Sequence, residues 1–133
     1  MKGIADTGFI VAFIRRNDMH HDWAVSVAEG MTEPLLTCDA VLAEAAFHVQ
    51  DSAIVLAMIE EGLVLPSFES RAHIPQLAAL AKRYADLKPD FADLCLIRMS
   101  EMYPRHIVIT TDRTDFHVYR RNKREAIPLL CPP

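Results

Sequence analysis

Short apolar runs alternate along the chain with longer stretches in which apolar residues recur every three or four positions. The runs Gly3–Asp6, Leu35–Thr37, Leu63–Leu65 and Ile107–Thr110 are too short for helices and read as buried strands. Ile127–Leu130, stopped by Pro132 and Pro133, reads as a final edge strand. Between them the pattern is helical. One helix runs from Thr7, which suits an N-cap, to about Arg15, and a second from Asp22 to Glu29, ended by Gly30. Others cover Asp39–Gln50, a stretch from Asp51 or Ser52 to Gly62, His73–Asp86 and Asp90–Met102. In the last, Ala92, Cys95, Leu96, Met99 and Tyr103 form an apolar stripe at i, i+3, i+4, i+7 and i+11. Short apolar strands separated by helices imply an α/β fold whose parallel sheet is covered on both faces. No repeat, low-complexity segment or linker divides residues 1–133, which are expected to form a single domain.

Composition narrows the picture. A 51% hydrophobic content is enough for a sizeable core. No uncharged apolar run approaches the roughly 18 residues of a membrane helix. The run Phe9–Ile14 lies between Asp6 and Arg15–Arg16, unlike a signal peptide. Cys38, Cys95 and Cys131 lack C-x-x-C spacing, which favours reduced thiols and a cytoplasmic location. The six histidines form no H-x-x-x-H pair, so zinc is poorly supported. A net charge of −4 runs against a nucleic-acid binder, but an acidic metal pocket and a basic rim can coexist.

The chemistry is carried by acids. Asp6 and Asp112 each follow an apolar strand, and ligands of open α/β sheets bind outside the carboxyl ends of strands. Either aspartate alone reads equally well as a helix cap. Glu44 sits among apolar residues from Ala40 to Phe47, where an ionised side chain needs a cation, a basic partner or a solvent-facing position. Asp93 lies at the edge of the apolar stripe of its helix, while Asp90 fits that helix's N-cap. Hard oxygen ligands of this kind favour Mg²⁺ or Mn²⁺, which activate water and stabilise a phosphoryl transition state.

At these residues the chain resembles the PIN-domain family. Gly3-Ile-Ala-Asp6-Thr7, the Glu44 helix, Asp90-Phe-Ala-Asp93-Leu and Thr110-Thr-Asp112-Arg-Thr-Asp115-Phe116 look like that family's successive motifs, in order and over nearly the whole chain. The likeness is nearest to VapC-type toxin ribonucleases of toxin–antitoxin pairs. It departs after Asp93, where Leu-Cys-Leu-Ile-Arg replaces the smaller residues the family favours. The resemblance implies a Rossmann-like three-layer α/β/α sandwich and a Mg²⁺- or Mn²⁺-dependent endoribonuclease yielding 5′-phosphate and 3′-hydroxyl ends. By that likeness Asp6, Glu44, Asp93 and Asp112 are the catalytic, metal-binding acids, with Asp115, Thr7 and Thr110 as auxiliaries. A cognate antitoxin and a homodimer are the implied partners, besides RNA.

RNA must be held by positive charge. Arg15, Arg113 and Arg120–Arg121 are the candidates, with Tyr119 adjacent for stacking. An apolar cluster of Phe9, Ile10, Phe13 and Trp23 is a candidate antitoxin groove. His20–His21, at a helix start, is expected to be exposed. The rival reading is a non-catalytic PIN-fold scaffold, against which retention of all four acids argues. A phosphotransfer receiver domain would need an acidic pair beside the first strand and a lysine after the last, and neither is present.

Overall fold

A computed structural model describes residues 1–133. Five strands form one parallel sheet: β1 (Gly3–Ala5), β2 (Leu35–Thr37), β3 (Val64–Pro66), β4 (Ile107–Ile109) and β7 (Leu129–Leu130). Their order in space is β3-β2-β1-β4-β7. The chain builds outward from β1 in one direction, then crosses to β4 on the other side. Seven helices flank the sheet, giving a three-layer, Rossmann-like α/β/α sandwich. They are α1 (Thr7–Ile14), α2 (His21–Glu29), α3 (Asp39–Val49), α4 (Ser52–Glu60), α5 (Ile74–Arg83), α6 (Phe91–Met102) and α7 (Arg113–Val118). No helix is long and apolar enough to cross a membrane.

The strands are where the short apolar runs place them, because residues such as Ile4, Leu35, Val64, Val108 and Ile109 are buried by helices on both faces. Helix ends also follow local chemistry. Asp51 caps α4 through the Ile54 N–H at 3.2 Å, and Gly62 takes the left-handed conformation (φ 80°) beyond its end. Gln50 closes α3 in the same region at φ 55°.

Four departures are informative. The predicted His73–Asp86 helix is three pieces: a 3₁₀ turn at Ser70–His73, α5, and a second 3₁₀ turn at Ala85–Leu87. Pro75 sets the start of α5, and Tyr84 leaves the helical conformation, its hydroxyl accepting the Arg120 N–H at 2.7 Å. The stripe on α6 is wider than five positions, since Leu94, Ile97 and Ser100 are also buried. This helix packs between α3 and α5 and against β1 and β4, so little of it reaches solvent. The cluster Phe9, Ile10, Phe13 and Trp23 is mostly core: Phe9 and Ile10 are fully buried, and Trp23 is half-buried, edge-on to Phe9 at 6.0 Å. The most exposed large apolar side chains are Met19 before α2, Phe47 on α3 and Leu56 on α4.

The fourth departure is the basic run. Arg120–Arg121 is strand β5, paired antiparallel with β6 (Glu125–Ala126) through a turn with Asn122 and Lys123 at positive φ. Arg121 was a candidate RNA contact, and the structure corrects this. Its guanidinium is buried, donating to the carbonyls of Ser100 at 2.8 Å and Pro104 at 3.2 Å and to Glu125 at 2.7 Å. Burying it costs least where those carbonyls, left over at the C-terminus of α6, need a donor.

Candidate metal centre

The strand order reverses between β1 and β4, which is where a crevice opens at the carboxyl edge of such a sheet. Register carries the chain there. Ala5 pairs with Ile109, so Asp6 and Thr110 emerge side by side. Thr110 donates its hydroxyl to Asp6 Oδ2 at 2.5 Å, and the Asp6 Oδ1 accepts the Thr7 N–H at 2.6 Å. Asp6 therefore caps α1 and is also fixed against β4. The Thr110 hydroxyl accepts the Asp112 N–H at 2.9 Å, and Asp112 in turn caps α7 through the Asp115 N–H at 3.1 Å.

Helices bring the remaining acids. Thr7 donates its hydroxyl to Glu44 Oε1 at 3.0 Å, tying α3 to α1. Glu44 is half-buried and lines the crevice, which accounts for an acid in an otherwise apolar segment. Asp93 lies in the first turn of α6, donates its own N–H to the Asp90 cap at 2.8 Å, and receives the Tyr119 hydroxyl on Oδ2 at 3.0 Å. Ligand oxygens of Asp93, Asp112 and Asp115 lie within 4.8 Å of one another. Asp6 and Glu44 line the same crevice, of about 350 Å³, outside that tight group of three.

Charge in the crevice is uncompensated. Seven carboxylates line it, Asp18 and Asp90 joining the five above, and no lysine or arginine does. The protein's two ion pairs, Arg98–Glu101 and Arg121–Glu125, lie elsewhere. Burial, reinforced by Asp90 and Asp6, pushes the Asp93 carboxyl up to about 8. Burial also raises Asp6, to about 6, against the hydrogen bonds from Thr110 and Thr7 that favour its ionised form. Asp115 is raised by desolvation and by Asp112. Tyr119 is raised by burial and by the Asp93 it faces, so it stays a donor. An all-oxygen set with no basic partner fits a hard divalent cation such as Mg²⁺ or Mn²⁺.

The crevice thus gathers Asp6, Thr7, Glu44, Asp93, Asp112 and Asp115, with Thr110 directly beneath. It also holds residues that sequence reasoning passed over. His20 is half-buried and lines the crevice instead of standing free in solvent. His48 lies one turn after Glu44, a spacing that puts both on one face of α3 and was available to be read. Asp90 is both a cap and a wall. Gly8 packs against the Thr111 side chain so closely that a Cβ would collide with it, which holds α1 against the loop bearing Asp112.

The candidate arginines divide. Arg15 is exposed and donates to the carbonyl of His48, at the crevice edge. Arg113 is exposed beside Asp112 and donates to the Pro132 carbonyl at 3.0 Å. The Arg120 guanidinium lies on the carbonyls of His117 and Tyr119. Compared with known proteins, the chain matches no family model and no curated protein.

Proposed function

We propose that this protein is a Mg²⁺- or Mn²⁺-dependent endoribonuclease of the PIN type, acting in the cytoplasm as the toxin of a toxin–antitoxin pair, with an antitoxin and a second copy of itself as partners. The observation that carries the enzymatic part is the convergence of Asp6, Glu44, Asp93, Asp112 and Asp115 on one crevice at the strand-order switch point. These residues come from four separate stretches of the chain, in the order of the PIN motifs they resemble. Helix capping explains Asp6, Asp90 and Asp112 one at a time, but it does not explain why Glu44 and Asp93 face the same space.

A divalent cation bound there supplies Lewis-acid activation of water and charge stabilisation at phosphorus. The chain's own residues prepare the place. Thr7 and Thr110 fix the orientation of Glu44 and Asp6 through hydroxyl hydrogen bonds. Tyr119 holds one oxygen of Asp93 and leaves the other to the crevice. Arg15 and Arg113, at the edge, offer positive charge to the flanking phosphates.

The test is cleavage of single-stranded RNA by the purified chain with and without Mg²⁺ or Mn²⁺. The wild type is expected to cut only with metal. Asp6→Asn and Asp93→Asn should each lose activity by orders of magnitude while remaining folded. Either variant cutting at the wild-type rate would remove that residue from the site, and a wild type inert in both metals would sink the enzymatic reading.

A further inference from the structure

A second and larger cavity, of about 730 Å³, lies at the carboxyl ends of β2 and β3. That volume is within the roughly 300–1,000 Å³ of small-ligand sites. The first turn of α6 separates it from the acidic crevice. Asp90 lines the crevice and the next residue, Phe91, lines the cavity. The two sites therefore share the N-terminal turn of α6 as a common wall.

The lining is specific in kind. Phe91 leaves half its surface in water at 50% exposure, although the rest of α6 is largely buried. Phe68 forms an apolar floor. Asp39 and Glu69 add exposed carboxylates to the wall. Arg71 lines the same wall, so a phosphate alone would leave the two acids unanswered and an aliphatic group would leave all three charges so. A flat ring with an N–H edge on a phosphate backbone answers them, stacking on Phe91, donating to carboxylate and leaving Arg71 for the phosphate.

Resting on the ribonuclease reading above, we propose that this cavity receives one nucleobase of the RNA strand beside the bond that is cut. Guanine fits best, because its N1–H and exocyclic amino group can both donate to one carboxylate of Glu69 or Asp39. The stacking ring is Phe91. The cavity thereby sets which base flanks the cleaved bond.

The experiment has two arms. In chelator, guanosine is titrated into the full-length chain and backbone amide shifts are followed by NMR, for wild type, Phe91→Ala and Phe91→Leu. A nucleoside carries no phosphate and needs no metal, so this arm is independent of catalysis. The expected result is shifts centred on Ser67 and Phe91, with binding weakened about fivefold or more in both Phe91 variants. Absence of shifts there, or unchanged binding by folded Phe91→Leu, overturns the proposal. The second arm maps cut sites in random-sequence RNA with Mg²⁺. Wild type should favour guanine at one fixed position, and Phe91→Ala should lose that bias while still cutting. An unaltered bias overturns the proposal. A chain that binds guanosine at this cavity but cuts no RNA overturns the ribonuclease reading and leaves the base pocket standing.

Discussion

Asp6 uses one carboxylate oxygen for its own helix and the other for the site, accepting Thr7 N–H on Oδ1 and the Thr110 hydroxyl on Oδ2. Asp112 is similar, a cap for α7 whose oxygens also approach Asp93 and Asp115. Cap and site are therefore the same residue, and the choice posed by the sequence is not a real one. This sets the right substitution. Asparagine caps a helix as well as aspartate, whereas alanine loses roughly 0.5–2 kcal/mol at such a position. In chelator near neutral pH, Asp112→Asn and Asp93→Asn should melt no lower than wild type, because the first removes a like charge from a crowded crevice and the second replaces a carboxyl that burial already keeps largely protonated. Both should gain less than wild type from Mg²⁺, and Asp112→Ala should melt lower than Asp112→Asn in either condition. Asparagine variants that melt clearly lower in chelator, with a full metal shift, would contradict a shared site. Proton linkage gives a second check. Asp93 and Asp6 hold protons more tightly folded than unfolded, at about 8 and about 6. From about pH 4 upward the folded state therefore carries the extra protons, and stability falls as pH rises through those values. In chelator the decline in Tm between about pH 5 and pH 8 should be shallower in Asp93→Asn than in wild type. Mg²⁺ should flatten the wild-type curve and release protons on binding near neutral pH, measurable by calorimetry in buffers of different ionisation enthalpy. Equal slopes for wild type and Asp93→Asn would remove the raised carboxyl from the account.

At the level of elements, what could be read in advance was what depends on local pattern. The parallel strands were legible because a run such as Ile107–Ile109 has no polar alternation, and burial on both faces demands that. Asp6 and Asp112 were legible because each ends such a run. Strand order was not, and only the pairing of β1 with β4 brings the two acids together. His20 reaches the crevice by the fold of the loop before α2, which no periodicity encodes. The hairpin was missed because its turn is Asn122–Lys123, without the glycine that usually marks two positive φ angles in succession. That omission misplaced Arg121. The last turn of α6 contains no basic residue, and Arg121 reaches in from β5 to serve its carbonyls. Replacing it by methionine keeps apolar bulk and leaves two backbone acceptors without their donor. At about 1–3 kcal/mol for each unsatisfied buried group, Arg121→Met should lose roughly 2–6 kcal/mol. Urea unfolding measures the loss, and the metal-induced shift should survive, since α6 meets the crevice at its opposite end. A loss below about 0.5 kcal/mol would mean that water serves those carbonyls equally well.

Across the whole molecule, negative charge is concentrated and positive charge is dispersed. Seven carboxylates face one crevice, while the basic run Arg120-Arg121-Asn122-Lys123-Arg124 forms a hairpin packed on the far end of α6. All four candidate arginines donate to backbone carbonyls, but only Arg15 and Arg113 are exposed, and both stand by the crevice. An RNA strand therefore meets few free cations, and without metal it meets strong repulsion. Two consequences follow if RNA is the substrate. Bound cation should stabilise the fold by linkage, by about 2.7 kcal/mol at 100-fold excess over the Kd, and should be required for measurable RNA binding as well as for cutting. The salt dependence of binding should also be shallow. Each phosphate neutralised on a single strand contributes about −0.7 to the slope of log K against log salt, so two arginines predict roughly −1.4. Fluorescence anisotropy with a short single-stranded RNA and the inactive Asp6→Asn chain, at fixed Mn²⁺ and varied KCl, gives the slope. Arg15→Ala and Arg113→Ala should each flatten it by about 0.7, and the double substitution Lys123→Ala, Arg124→Ala at the hairpin should leave it unchanged. A slope steeper than about −3, reduced by the hairpin variant, would show that RNA wraps around the far end of α6, and the crevice rim would then account for only part of the binding surface.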